Sequence, residues 1–197
     1  SPVDSIGSPY SSPSSFALNP WFLDANDLVR DGYLPQNIIK ELPNNCLDND
    51  KQSVDFNLAG LRSDEIAKAL FLHWNKQSLS RHLEFNDWSS KQFWLDDHAC
   101  FMEIRRQHNG LPWWEWPSAL AAHNVDELNN WREQNQDKLL EHSLVQWHLD
   151  RQLSELRKIA RDNQVLLFGD LPFYVSRDSS DVWSKRDLFS VLSKGNL

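Results

Sequence analysis

From Ser63 onward the apolar residues of this chain recur at helical spacing; before it they do not. Ile66, Leu70 and Trp74 stand four apart on one face. Ser63 has the chemistry of an N-cap, and Asp64 and Glu65 suit the positive end of a helix. A second helix is expected from near Asp87 to His108, with Phe93, Leu95, Cys100, Phe101 and Ile104 as its apolar members and Gly110 as its terminator. A third helical stretch is expected over 125–163, with a break. Its stripe is Val145, Leu149, Leu153, Leu156 and Ala160, and Arg151, Glu155, Arg157 and Lys158 fall largely on the wet faces.

The first twenty residues have no such period. Pro9, Pro13 and Pro20 forbid a helix, while Tyr10, Phe16 and Leu18 are too apolar for a flexible linker, so a packed loop is expected. Trp21–Leu23 reads as a short buried strand, followed by a helical turn or two that Asp24 or Asn26 caps and Gly32 ends. Residues 35–55 read as irregular. Near the other end, "VLLFGD" is an apolar run bounded by Asn163-Gln164 and Gly169-Asp170. That pattern fits a strand buried on both faces, which belongs to a parallel sheet covered by helices. Helix, short loop, buried strand is half of a βα unit.

Asp170 ends that run. In a parallel barrel, ligand chemistry gathers at the C-terminal ends of strands, so this acid is a candidate for a site. The plainer alternative is that it hydrogen-bonds the turn containing Pro172.

Composition narrows the field. The chain has 197 residues, 40% hydrophobic and 24% charged, which suits one globular domain with a core. No apolar run is long enough to span a membrane. A net charge of −8 without a basic stripe argues against nucleic acid as a partner. The opening "SPVDSIGSPY" lacks an initiator methionine, a basic n-region and an apolar h-region, so the chain is expected to begin mid-protein or after processing. Cys46 and Cys100 have no metal or redox spacing and read as free thiols of a reducing compartment. His142 and His148 stand on different faces of their helix, so no metal is expected. Neither a Gly-rich phosphate loop nor another cofactor motif occurs. Ten tryptophans against three tyrosines leave two readings open, a Trp-filled helical core or flat faces offered to a sugar ring.

Three segments carry a family resemblance. "SPYSSPSSFALNPWFLD", "FMEIRRQHNGLPWWEWP" and "GDLPFYVSRDSSDVWSKRDLF" stand in the order found in the 4-α-glucanotransferases, the amylomaltase or disproportionating-enzyme family. The resemblance implies an α/β fold, part of a (β/α)₈ barrel with a large helical insertion. It divides the chain into a barrel loop and strand over 1–34, a mostly helical insertion over 35–124, and a helix, barrel strand and following loop over 125–197. It implies transfer of α-1,4-glucan segments to glucose or maltodextrin by a retaining mechanism, in which one carboxylate forms a covalent intermediate and another acts as acid and base. The motifs that carry those carboxylates in the family do not occur here. The chain is therefore expected to be an internal piece, inactive alone, with no catalytic residue of its own.

By the same resemblance Tyr10 lies against the sugar ring at the cleavage point, Ser8 hydrogen-bonds a glucose hydroxyl, and Asp170 supports the region of the nucleophile. Gly7 stands where the family usually has an acid. The Trp-rich loop flanks an acceptor groove or acts as a packing hinge. The expected partners are maltooligosaccharides and α-1,4-glucan, with self-association of the shortened chain and a cytoplasmic or plastid setting. Two other readings stay open: a non-catalytic α-glucan-binding or helical interaction module, and a piece of an α-amylase-like hydrolase.

Overall fold

Side-chain caps start five of the α-helices, and glycines follow the ends of two. The computed structural model describes residues 2, 8–43, 47–48, 53–169 and 173–190. Helix α1 spans Ala25–Arg30; the Asp24 carboxylate accepts the Asn26 N–H, and Gly32 follows at φ +75°. Helix α2 is Ile38–Glu41, and β1 (Leu47–Asp48) pairs antiparallel with β2 (Ser53–Val54). Helix α3 runs Phe56–Trp74, α4 Leu79–Ser90, α5 Leu95–Gln107, α6 Ser118–Ala121, α7 Val125–Gln134, α8 Gln136–Asp162 and α9 Ser180–Ser184. Short 3₁₀ turns occupy Pro9–Ser11, Pro20–Phe22, Trp113–Glu115 and Arg186–Leu188.

Several expectations from sequence are corrected here. Helix α3 starts at Phe56, because Asp55 caps it through the Leu58 N–H; Ser63 lies buried mid-helix. The segment expected as one helix from Asp87 is two, since Asp87 is inside α4 and the chain breaks between Ser90 and Leu95. Trp21–Leu23 is not a strand. Pro20 fixes a helical φ, the Asn19 side chain accepts the Trp21 N–H, and a 3₁₀ turn results. Residues 165–169 form no strand either, and they are exposed, with Phe168 fully so. A strand buried on both faces needs partner strands and covering helices. Among the described residues the only sheet is the β1–β2 pair. The break expected within 125–163 falls at Asn135, between α7 and α8.

The chain folds as two units. One comprises residues 1–17, 92–143 and 170–197, and the other 18–91 and 144–169. The first has a core built on the buried face of α5, where Cys100, Phe101 and Ile104 meet Trp113, Trp116, Leu120, Leu128, Val182 and Trp183. Each buried indole N–H there finds a carbonyl: Trp113 to Arg177 at 2.9 Å, Trp116 to Leu111 at 2.8 Å and Trp183 to Leu120 at 2.9 Å. That satisfaction is what allows so much Trp inside.

The second unit packs the expected face of α3 (Ile66, Leu70, Trp74) with Phe85 of α4 and Trp147 of α8. Trp74 meets Trp147 edge-on at 5.8 Å, and Phe85 meets Trp147 at 5.5 Å. Two glutamines of α8 then act as stand-in peptides. Gln146 exchanges two hydrogen bonds with the Leu18 backbone, and Gln152 does the same with Asp24. They tie the capped start of α1 to the longest helix of the chain.

Candidate functional site

The serine-rich loop is stiff because its hydroxyls replace water on its own backbone. Ser8 caps the first 3₁₀ turn, its Oγ accepting the Tyr10 N–H at 3.3 Å. Ser12 Oγ accepts from Ser14 N–H and donates to Ser14 O. The wholly buried Ser14 accepts from both Phe16 N–H and Ala17 N–H at 3.1 Å. These local bonds are the reason Ser clusters favour fixed turns. Over residues 8–20 the loop is packed, but through Ser12, Ser14, Ala17 and Asn19, whereas Tyr10 and Phe16, which the sequence marked as its apolar members, are exposed. The loop presents Tyr10 outward, 64% exposed, with Ser8 two residues before it. An exposed phenol on a rigid support is a suitable platform for the apolar face of a sugar.

The segment after residue 173 holds that loop from the same unit. Asp181 Oδ2 accepts the Ser15 N–H at 2.8 Å across 166 residues of sequence. Ser180 donates to Pro13 O through its N–H at 2.9 Å and its hydroxyl at 3.2 Å. Ser179, fully buried, caps α9 through the Val182 N–H. Just before it, Asp178 pairs with Arg105 at 3.1 Å and accepts the Trp113 N–H at 3.3 Å. Burial pushes the Asp178 carboxyl up, against the pull of Arg105 and the Trp113 amide.

The sequence reading singled out Ser8 and Tyr10, which the structure sets at one turn. Asp170 lies outside the described residues. The reading missed Asp178 and Asp181, which tie the first motif and the Trp-rich loop to the third motif. Their partners are far away in sequence and leave no local spacing to find. The Trp-rich loop resolves toward packing: Trp113 and Trp116 are buried, and Trp114 lies half-buried under Arg177, whose guanidinium carbon is 3.8 Å from its ring centre.

A buried acid–base group lies on α5, at the start of the second motif. Glu103 is 1% exposed and accepts from Arg106 Nε at 2.8 Å and Gln107 Nε2 at 3.0 Å, with His142 Nε2 at 3.5 Å. Burial raises its carboxyl, but those hydrogen bonds overcome it and bring the pKa down to about 2. His98, buried without a partner for Nδ1, is pushed down to about 3 by desolvation, with His142 adding repulsion. These are structural groups, since each faces protein rather than open space. Among the described residues no cluster of His, Cys, Asp and Glu is arranged to hold a metal ion.

Comparison with known proteins follows the same segments. A family model described as 4-alpha-glucanotransferase matches residues 1–195. The chain belongs to this family. The 4-alpha-glucanotransferase of Synechocystis is 32% identical over 186 residues, covering 93% of the chain and 36% of that protein. The chloroplastic/amyloplastic 4-alpha-glucanotransferase of Arabidopsis thaliana is 32% identical over 197 residues, covering 98% of the chain and 33% of the plant protein. The chain thus spans about a third of the length of the curated family members it matches. An amylomaltase structure from Streptococcus agalactiae, in complex with acarbose, superposes with a TM-score of 0.86 at 24% identity, over 98% of the chain and 38% of that enzyme. The family fold is therefore kept over nearly the whole chain, including the long helical stretches.

Proposed function

We propose that this chain is a section of a 4-α-glucanotransferase that passes segments of α-1,4-glucan to glucose or maltodextrin, and that it supplies part of the wall around the bound sugar. The observation that carries the reading is the family match over residues 1–195, combined with a rigid loop that turns Tyr10 into solvent. In this reading Tyr10 lies against a glucosyl ring and Ser8 hydrogen-bonds one of its hydroxyls. Asp170 supports the carboxylate that attacks the anomeric carbon. That attack forms a covalent glycosyl intermediate, and a second carboxylate protonates the leaving oxygen and later deprotonates the acceptor hydroxyl. Both carboxylates come from outside this chain.

The barrel belongs to the same proposal. Residues 165–169 form one of its strands once neighbouring strands flank them, which accounts for an apolar run that stands bare here. Residues 1–34 and 125–197 then contribute to the barrel, and 35–124 form the helical insertion. Maltotriose separates the outcomes. The chain alone is expected to release no glucose from it above blank, while the full-length protein converts it to glucose and longer maltodextrins. Glucose release by the isolated chain, or none by the full-length protein, contradicts the reading.

A further inference from the structure

The sugar-facing loop does not hold itself in place. Its internal serine bonds fix its shape, but a loop of fixed shape can still swing as a body. Two anchors on its Pro13–Ser15 stretch oppose that, and both sit on the first turn of α9. Asp181 takes the Ser15 N–H at 2.8 Å, and Ser180 gives its N–H to Pro13 O at 2.9 Å. Pro13 and Ser14 are buried while Tyr10 is 64% exposed, so the anchors grip the inner end of the loop, three residues from the phenol-bearing residue.

We propose that Asp181 and Ser180 are positioning residues, which set the place of Tyr10 by clamping the Pro13–Ser15 backbone. The proposal rests on the reading of Tyr10 as a sugar contact. Neither residue reaches the substrate; each acts through the loop. The acceptor at Ser15 is charged and part-buried, so it forms the stronger kind of hydrogen bond. The Pro13 anchor uses a backbone N–H at the first helical position after the Ser179 cap, where no intrahelical partner exists. Helix α9 therefore offers the loop the Ser180 N–H and hydroxyl as donors and the Asp181 carboxylate as acceptor, and the loop backbone answers with the Pro13 carbonyl and the Ser15 N–H.

Three substitutions test it. Asp181→Ala deletes the acceptor, and Asp181→Glu keeps a carboxylate on a longer arm. Ser180→Pro removes the N–H at the helical position that best tolerates proline, and the extended Ser179 before it, at φ −138° and ψ 157°, suits a residue preceding proline. In this chain, amide exchange at Ser15 should accelerate about tenfold or more in Asp181→Ala and return toward the parent rate in Asp181→Glu. In the full-length protein, Asp181→Ala and Ser180→Pro should each lower kcat/KM on maltotriose about tenfold or more, as small misplacements do. Asp181→Glu should stay within about threefold, and thermal midpoints should move little.

Unchanged Ser15 exchange in Asp181→Ala overturns the clamp. So does unchanged activity in both Asp181→Ala and Ser180→Pro. A joint loss of activity and thermal stability in Asp181→Ala that Asp181→Glu does not rescue means support of the fold only, and overturns the positioning role. Should Asp181→Ala fail to fold, Ser180→Pro decides alone. If the unaltered full-length protein does not act on maltotriose, the proposed function fails instead, and Ser15 exchange still decides the clamp.

Discussion

Buried ionisable residues give this chain a definite response to acid. His98 and His148 are both held neutral, each brought down to about 3, His98 by burial and His142, His148 by burial with Arg151 and Arg81. Unfolded, each takes up a proton as pH falls below about 6.5, so folding stability drops from there toward pH 3. Glu103 has the carboxylate sign. Its folded pKa of about 2 lies below the ordinary 4.5, so its contribution is present above about 4.5 and is lost as pH falls through 2. Thermal midpoints measured from pH 7 to pH 4 are expected to fall steadily, driven first by the histidines. His98→Leu removes a titrating ring of similar bulk and an orphaned nitrogen. It should flatten the curve between pH 6.5 and 4; an unchanged slope would place the titration elsewhere. Glu103→Ala should cost about 2–3 kcal/mol at neutral pH, because it empties a buried site and removes the hydrogen bonds that the carboxylate accepts from Arg106 and Gln107.

At the scale of elements, what was legible in the sequence was local, and what was missed was not. Asp24 as a cap, Gly32 and Gly110 as helix ends at positive φ, and the Ile66, Leu70, Trp74 face all follow from neighbours within a turn. Ser63 misled because acids follow it, although Asp55 eight residues earlier supplies the real cap. The run at 165–169 has the composition of a strand, but a strand is defined by partners that composition does not contain. The same limit hid Asp181 and Asp178, whose bonds reach Ser15, Arg105 and Trp113. Ser8 and Tyr10 emerged from a motif, whereas the hydroxyl relay that makes their loop rigid emerged only from coordinates. The short helix α9 depends on its core anchor: Trp183→Ala, at a fully buried site with its N–H on Leu120 O, is expected to cost about 3–5 kcal/mol in chemical denaturation. A loss under 1 kcal/mol would mean that α9 is not part of the cooperative core.

For the molecule as a whole, large apolar side chains at the surface matter most. Leu166, Phe168, Phe173 and Tyr174 are almost wholly exposed. Large apolar side chains left this open to water favour association that covers them. In isolation the chain is expected to associate, with light scattering reporting a mass above one chain that rises with concentration; a stable monomer at all concentrations would show that these side chains need none. Residues that serve a sugar site, by contrast, should leave folding alone. The most direct measurement is maltotriose disproportionation by the full-length protein carrying Tyr10→Ala, taken together with its thermal midpoint. The expected result is a fall in kcat/KM of about tenfold or more, near 1.4 kcal/mol of transition-state stabilisation, at an unchanged midpoint. Unchanged turnover, or equal losses of turnover and stability, would make Tyr10 a packing residue and contradict its place against the sugar.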